Sequence, residues 1–531
     1  MSAHPHDADA LQELAQQILD LIGIPKDEWE IAAQLEVMGL RDSDARAQFG
    51  AHDLFELART IYSGFQHGLY RWYVEPQDPP ERRSALVRFL RNYVEGLTFS
   101  LPMALQAAAM LLWGYGVWGA TDIDLRTGSA IALGFIASYI VTGGFTQAIV
   151  RRGLFYIYQA QESLARSTAI RLWAIALQIV LGLLIPALAL NALFGILPWS
   201  MVWPAAGYYA ALAVLWLNWS LLYLVRQTWL FLLTTAIALA VVLIAAKVFG
   251  AGPVAANACG LAVADSLSLV LALLMLRRVA AKRGVESVAN PPRTTVLVYS
   301  TSRFFLYGLL YNTFLFADRI IAWTSRTGRE DFPPYGFWMN VRYELGMDLA
   351  LVVIMLLSGV VEHATQRFSE ELIPHQKRVK SVDTARFVAE IRADHRRRVL
   401  ALGGSSILAA GVAVLVAFAL RQATSLPIYP SLIAPVTMRV FVVAAIAYVI
   451  FMFALQNILM LLTLARVDRV VNAVAIALAV NVLTGFIASR AFHYSAAVAG
   501  LLLGALVLAW LSSRSLSKVF ERLDFHYYAA F

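Results

Sequence analysis

The stretch IALGFIASYIVTGGFTQAIV (131–150) contains no charged residue, and Arg151-Arg152 closes it. Twenty apolar residues in a helix reach about 30 Å, the thickness of a bilayer's hydrocarbon core. The arginine pair marks the membrane face on which basic loops gather. Blocks of the same kind recur on either side of this one. They are drawn at 99–120, 128–150, 172–197, 201–225, 229–249, 253–276, 303–325, 345–366, 399–420, 434–463, 471–489 and 494–513. Composition agrees: 59% of the 531 residues are hydrophobic and only 15% are charged. Mean hydropathy is +0.64. A soluble chain of this length needs more charge to cover its surface.

The loops set the orientation. Arg151, Arg152, Arg166 and Arg171 follow span two, and Arg226 follows span four. Arg277, Arg278, Lys282, Arg283 and Arg293 follow span six. Span eight is followed by a run from Lys377 to Arg398, span ten by Arg466 and Arg469, and span twelve by Arg514, Lys518 and Arg522. Every even-numbered connection is basic, which puts both termini in the cytoplasm. One span more or fewer would scramble that alternation. The first 20 residues are polar and acidic, unlike a cleavable signal peptide.

The overall charge of +8 conceals a division. Residues 1–98 hold 9 basic and 16 acidic side chains, and the remainder 34 and 19. The excess basic charge belongs beside membrane helices and is no argument for nucleic acid. The expected organisation is an acidic helical cytoplasmic region at 1–98, an N-lobe at 99–276, a basic linker at 277–302, and a C-lobe with its tail at 303–531. In the first region Leu11, Leu14, Ile18 and Ile22 recur at helical spacing, as do Leu54, Leu57, Ile61 and Phe65. Asp42 or Ser43 is a candidate helix cap, and Pro79-Pro80 breaks the chain. The segment ERRSALVRFLRNYVEGL (81–97) reads either as a helix on the membrane surface or as a solvated helix leading into span one.

Twelve spans invite a search for two halves of six. Gly144-Phe-Thr-Gln147 at the end of span two reaches Arg152 eight residues after its glycine. Gly359-Val-Val-Glu362 at the end of span eight reaches Arg367 at the same step. The fold expected is therefore an all-α polytopic membrane protein of about twelve transmembrane helices, in two six-helix lobes with a central cavity.

Several stretches resemble the inner-membrane transporters for Pel-type exopolysaccharide. They are SYIVTGGFTQAIVRRGLFYIYQ (138–159), NTFLFADRIIAW (312–323), RYELGMDLALVVIMLLSGVVEHATQRFSEEL (342–372) and FERLDFHYYAAF (520–531). The resemblance covers roughly residues 100–531. Glu344 stands where that family's tyrosine-acid pair has aspartate, and the acidic N-terminal region has no counterpart. The resemblance implies membership of the flippase superfamily of multidrug, oligosaccharidyl-lipid and polysaccharide exporters. It implies the bacterial inner membrane as location, a glycan as substrate, and a cytoplasmic glycosyltransferase and other synthase-complex membrane proteins as partners.

Charges inside spans are costly and tend to face a cavity or a partner. Asp318-Arg319 lies deep in span seven, and Arg342, Glu344 and Asp348 open span eight from the other side. They form either a polar substrate or ion path, or a structural ion pair between two spans. Asp265 in span six has no charged neighbour in sequence, so it either exchanges a proton or lies at a polar helix interface with Ser266 and Ser268. Arg439 in span ten either snorkels or binds an anionic group. Gln147, Arg152, Glu362 and Arg367 form a candidate cytoplasmic gate, with helix packing at Gly144 and Gly359 as the alternative. Tyr208, Tyr209, Trp216 and Trp219 read as an interfacial aromatic belt, with sugar stacking as the alternative. His363 and His375 read as surface or loop residues, and Cys259 as a buried inert thiol. There is no GxxxxGK[ST], HExxH, nucleophile elbow or Cys/His cluster, so no cofactor, metal or catalytic residue is expected. Three functions compete: a glycan exporter, an ion-coupled multidrug or small-solute exporter, and a membrane-embedded transferase on a lipid-linked substrate. Short loops on the far side leave the transferase no extramembrane domain.

Overall fold

The structure, a computed structural model, describes residues 5–22, 25, 27–66, 85–159, 161–281, 292–329, 336–378, 384–424, 426, 428–521 and 523. Pro79-Pro80, Lys282, Arg283 and the tail from 524 onward lie outside the described residues, as do the side chains of Ile22 and His375. The described residues form helices and turns, with one isolated bridge between Tyr115 and Ala120.

Four short helices come first: α1 (Pro5–Ile22), α2 (Glu28–Val37), α3 (Asp42–Phe49) and α4 (Leu54–Gln66). They close a core of their own on Ile18, Ile31, Leu35, Leu57 and Ile61. Asp27 starts α2 by accepting from Glu30 N at 2.9 Å. The N-cap of α3 is Arg41, one residue before the expected position, and Asp42 instead accepts from Leu54 N at the head of α4.

The membrane part begins with α5 (Ala85–Leu97), α6 (Leu101–Trp113), α7 (Leu125–Tyr158), α8 (Glu162–Gly182), α9 (Leu184–Phe194), α10 (Trp199–Leu224), α11 (Trp229–Lys247) and α12 (Pro253–Ala281). The second half holds α13 (Thr294–Trp323), α14 (Val341–Arg378), α15 (Thr384–Gln422), α16 (Tyr429–Leu432), α17 (Pro435–Thr463), α18 (Val467–Ala491), a 3-10 turn (Tyr494–Ala497) and α19 (Val498–Phe520). Eleven stretches are long and apolar enough to cross a membrane, with α8 and α9 counted together. The pair α5 and α6, bent by 62°, makes a twelfth if it is one broken span.

That pair corrects the first span, which the sequence places at 99–120. Helix α6 stops at Trp113, where Gly114 turns left-handed at φ +78°. Thirteen residues of helix reach only about 20 Å. The apolar run LLWGYGVWGA continues past that point, but Gly114, Gly116 and Gly119 break the helix inside it. Val117 N is held by Gln106 Oε1 at 2.6 Å, folding the turn back onto α6. If the pair is one broken span, α5 supplies the missing length. One face of α5 packs along α14: Tyr93 OH donates to Leu356 O at 3.1 Å, and Ser358 Oγ to Gly96 O at 3.2 Å, while Leu86, Leu90 and Val94 are exposed on another.

The two halves repeat one another in their contacts. A Cβ at Gly96 on α5 would meet Gly359 Cα at 2.6 Å and Glu362 Cβ at 2.8 Å on α14. A Cβ at Gly308 on α13 would meet Gly143 O and Gln147 Cγ on α7. Three residues before each of these glycines stands an aromatic, Tyr93 or Phe305, crowding Gly359 or Gly144 in turn. Helix pairs α5 with α14 and α7 with α13 thus cross between halves at matched glycines. After the fourth span of each half the chain turns at a non-glycine residue with positive φ, Arg226 (+56°) and Ala465 (+54°). The next amide reaches back to the same leucine carbonyl, Gln227 N to Leu222 O and Arg466 N to Leu461 O.

Two smaller readings change. Cys259 is exposed on α12, because an outward helix face meets lipid and an apolar residue need not be interior there. His363 and His375 lie within α14, and His363 is half-buried, with Nδ1 3.3 Å from Asn92 Nδ2 and its ring against Phe89.

Replacing Gly308 or Gly359 by leucine is expected to lower the melting temperature and the monodisperse yield, as overpacking does. Gly411→Leu on α15, where no atom lies within 4 Å of a Cβ, is expected to leave both unchanged. Size-exclusion profiles after heating detergent-solubilised protein read the difference.

Candidate functional site

Helix α13 is unbroken to Trp323, so Asp318, Arg319 and Trp323 are held rigidly relative to one another near its end. Asn340 Oδ1 accepts from Tyr343 N at 3.1 Å and fixes the first turn of α14. That turn delivers Tyr343 and Glu344, and one turn later Asp348 comes onto the same face as Glu344.

The side chains meet around Arg319. Its Nη1 donates to Glu344 Oε2 at 2.5 Å, and Nη1 and Nη2 both donate to Asp348 Oδ1 at 3.2 Å. Trp323 Nε1 donates to Glu344 Oε1 at 2.7 Å. Tyr343 OH donates to Asp318 Oδ2 at 2.6 Å. Tyr448 of α17 lies beside the guanidinium. Asp318 is fully buried, and its Oδ1 has no hydrogen-bond partner among the described residues. Asp348 is the open member, with its side chain 57% exposed against 8% for Arg319. Two carboxylates, Glu344 and Asp348, therefore share the Arg319 guanidinium, and Asp318, next to it in sequence, is held by Tyr343. Fully ionised, the group carries two uncompensated negative charges inside a membrane helix pair, which is expensive. Protonation of a carboxylate relieves that cost.

The other expected site residues fall elsewhere. Arg342 is exposed on the first turn of α14 and Arg439 is exposed on α17, and neither forms an ion pair among the described residues. Asp265 sits half-buried on α12 in the first half. Its backbone carbonyl accepts from Asn218 Nδ2 at 3.1 Å, Asn218 also reaches Ser268, and Trp173 donates to Asn218. The Asp265 Oδ1 has no partner among the described residues.

At the basic end, Gln147 and Glu362 both stand at the glycine crossings. Gln366 Nε2 donates to Glu95 Oε2 and to Glu362 Oε1, each at 2.8 Å, so α5 and α14 are tied by one amide. Arg226 lies close to both carboxylates and donates to Tyr158 OH at 3.4 Å. Arg152 folds along its own helix, bonding Tyr156 OH at 2.8 Å. Arg367 is half-buried beside His363.

The aromatic residues correct the expected belt. Tyr208, Tyr209, Trp216 and Trp219 are all buried in the first half. Tyr208 OH hydrogen-bonds the Asn257 amide, and Tyr209 OH donates to Val180 O. A helix pattern cannot distinguish aromatics facing lipid from aromatics facing neighbouring helices when both surroundings are apolar. Trp113, Trp199, Trp203, Trp229 and Trp510 are exposed in the membrane part. Trp216 belongs to a cluster with Trp118, Phe135 and Tyr139. Phe316 of α13 reaches that cluster from the other half, 5.5 Å from Tyr139 and 6.1 Å from Phe135 between ring centroids. Arg319 stands 5.5 Å from the Phe316 ring. The charged group and the aromatic cluster thus touch at the junction of the halves. Sequence reasoning missed Trp323 and Tyr448 as ligands of the charged group, and missed Phe135, Tyr139 and Phe316. Trp323 had a signal, since it stands four residues after Arg319 and shares its face.

Two packed halves of six spans with charged groups inside define a polytopic transporter, and solved structures of that class match the fold. A mutant form of the Vibrio cholerae MATE transporter VcmN is 14% identical over 83% of this chain and 98% of its own, with a TM-score of 0.58. A MOP superfamily transporter from Pyrococcus furiosus, whose structure was described as having a binding pocket of reverse polarity, is 14% identical over 82% and 96%, with a TM-score of 0.56. A multidrug resistance MATE family transporter of the MOP superfamily in an outward-facing conformation is 15% identical over the same shares, also with a TM-score of 0.56. No curated protein matches the chain. The model of the PelG family, described as "Putative exopolysaccharide Exporter (EPS-E)", matches residues 100–528. The chain belongs to that family and is a membrane transporter.

Removing Arg319 alone leaves buried carboxylates facing each other, at a cost of about 3–5 kcal/mol. Arg319→Met is therefore expected to lower the melting temperature sharply. Adding Glu344→Gln to it is expected to recover part of the loss, and melting curves of the two variants in detergent check this.

Proposed function

We propose that this transporter exports an exopolysaccharide or lipid-linked glycan across the bacterial inner membrane, with both termini in the cytoplasm. The lobes part along the α5–α14 and α7–α13 crossings, and the glycan passes between them. The observation that carries this reading is the contact between the Arg319 cluster and the Phe316, Tyr139 and Phe135 rings at the lobe junction. Aromatic faces stack on the apolar faces of sugar rings, while carboxylates and a guanidinium hydrogen-bond their hydroxyls. Parting the halves would turn these packed rings into a lining.

Asp318, Glu344 and Asp348 serve as the ion-coupling group. Uptake of a proton lowers their net negative charge and favours one arrangement of the lobes, and its loss favours the other. Gln147, Glu362 and Gln366 close the cytoplasmic side. A glycosyltransferase and further synthase-complex proteins deliver the polymer to that side. One alternative has support from the fold, because structures named as multidrug transporters share it: an ion-coupled small-solute exporter.

Cells lacking the gene are expected to lose secreted polysaccharide while drug sensitivity stays unchanged. Complementation with Glu344→Gln or Asp318→Asn is expected to restore membrane levels of the chain with polymer at least about tenfold below wild type, the loss that about 1.4 kcal/mol of coupling would produce. Normal polymer secretion with altered drug sensitivity would instead establish the small-solute exporter.

A further inference from the structure

Between α18 and α19, at the end of the bundle where the basic loops gather, lies an open pocket of about 310 Å³. Arg469, Asn472, Ser515 and Lys518 line its polar side, and Ile476 and Leu511 its apolar side. Among the described residues, no carboxylate lines it. Asp468, next to Arg469 in sequence, is engaged elsewhere by Arg303 at 2.5 Å. Arg469 is held in place, since its Nη1 donates to Ser515 O at 3.1 Å. Ile476 lies two turns of α18 deeper than Arg469 and is exposed on the outer face. The pocket therefore offers cations at the membrane border and an apolar wall leading toward lipid.

The repeated architecture supplies a control within the same chain. Arg226 and Ala465 align α11 with α18. A Cβ at Gly260 or at Gly504 would meet the carbonyl of Ala238 or Ala477 at 3.0 Å, which aligns α12 with α19. In that alignment Arg469, Asn472, Ser515 and Lys518 fall on Leu230, Leu233, Leu271 and Leu274. Ile476 and Leu511 fall on Ile237 and Leu267. The apolar wall is thus common to both halves, while all four polar positions are leucine in the first. Membrane-border snorkelling would act on both halves alike, so it does not account for the difference.

We propose that this pocket binds the phosphate headgroup of an anionic membrane phospholipid, with Arg469 and Lys518 on the phosphate and an acyl chain along Ile476 and Leu511. Asn472 and the Ser515 hydroxyl supply further hydrogen bonds to the headgroup. Basic pockets between membrane helices on the cytoplasmic side suit such headgroups. The site is separate from the Arg319 cluster and does not depend on what the transporter carries.

The test is native mass spectrometry of the full chain released from nanodiscs of phosphatidylcholine mixed equally with phosphatidylglycerol. Wild type is expected to retain phosphatidylglycerol preferentially. Arg469→Leu with Lys518→Leu, which installs the residues of the first half, is expected to cut that preference at least about tenfold, as is Asn472→Leu with Ser515→Leu to a smaller degree. Arg277→Gln with Arg278→Gln removes the same charge at the end of α12 and is expected to keep it. Equal loss in both charge variants, or no preference in wild type, overturns the proposal. So does displacement of the lipid by millimolar inorganic phosphate, which would assign the pocket to a free anion.

Discussion

The close crossing of α7 with α13, and of α5 with α14, is the constraint on which the rest depends. Each crossing requires glycine on both partners: Gly143 against Gly308, with Gly144 against Phe305, and Gly359 against Gly96. In a membrane no hydrophobic force draws helices together, so close backbone approach and interhelical hydrogen bonds must hold them. Here Asn312 Nδ2 donates to Tyr139 O at 2.8 Å across one crossing, and Tyr93 and Gln366 bridge the other. Both crossings join one half to the other. The same two contacts therefore hold the halves together and bring Phe316 onto the aromatic cluster of the first half.

That placement gives the Arg319 cluster its meaning. The guanidinium holds Glu344 and Asp348, the Trp323 indole holds Glu344 from its other oxygen, and Tyr343 holds Asp318, so the group is committed to one geometry. Only Asp348 is open, and only Asp318 keeps a buried oxygen without a partner among the described residues. Three carboxyl groups beside one guanidinium leave the group net negative when fully ionised, and Arg319 stands beside Phe316 at the lobe junction.

Much of the fold was legible in the sequence because hydrocarbon imposes a length and loops carry a charge bias. Eleven of the drawn spans coincide with long apolar helices, and only the first is misplaced, where glycines end a helix without interrupting hydropathy. The pairing of Asp318-Arg319 with Glu344 and Asp348 was legible from depth and spacing. Arg342 was not separable from them, because one residue of rotation on a helix turns a side chain outward. The glycine repeat showed only half of itself: Gly144 and Gly359 were visible as a pair, but Gly308 and Gly96 on the facing helices sit in stretches with no other likeness. Which aromatics face inward was not legible, since lipid and helix neighbours select the same residues. The N-terminal unit α1–α4 was readable as helices from its periodicity and lies outside the region the family matches.

The central claim is that export requires the halves to separate at these crossings. Phe145 and Phe305 face each other there, with ring centroids 4.8 Å apart. The direct measurement is polysaccharide secretion by cells carrying Phe145→Cys and Phe305→Cys in a Cys259→Ser background, before and after a short thiol-to-thiol crosslinker. Secretion should stop on crosslinking and persist in either single-cysteine control. Undiminished secretion from the fully crosslinked chain would contradict the account.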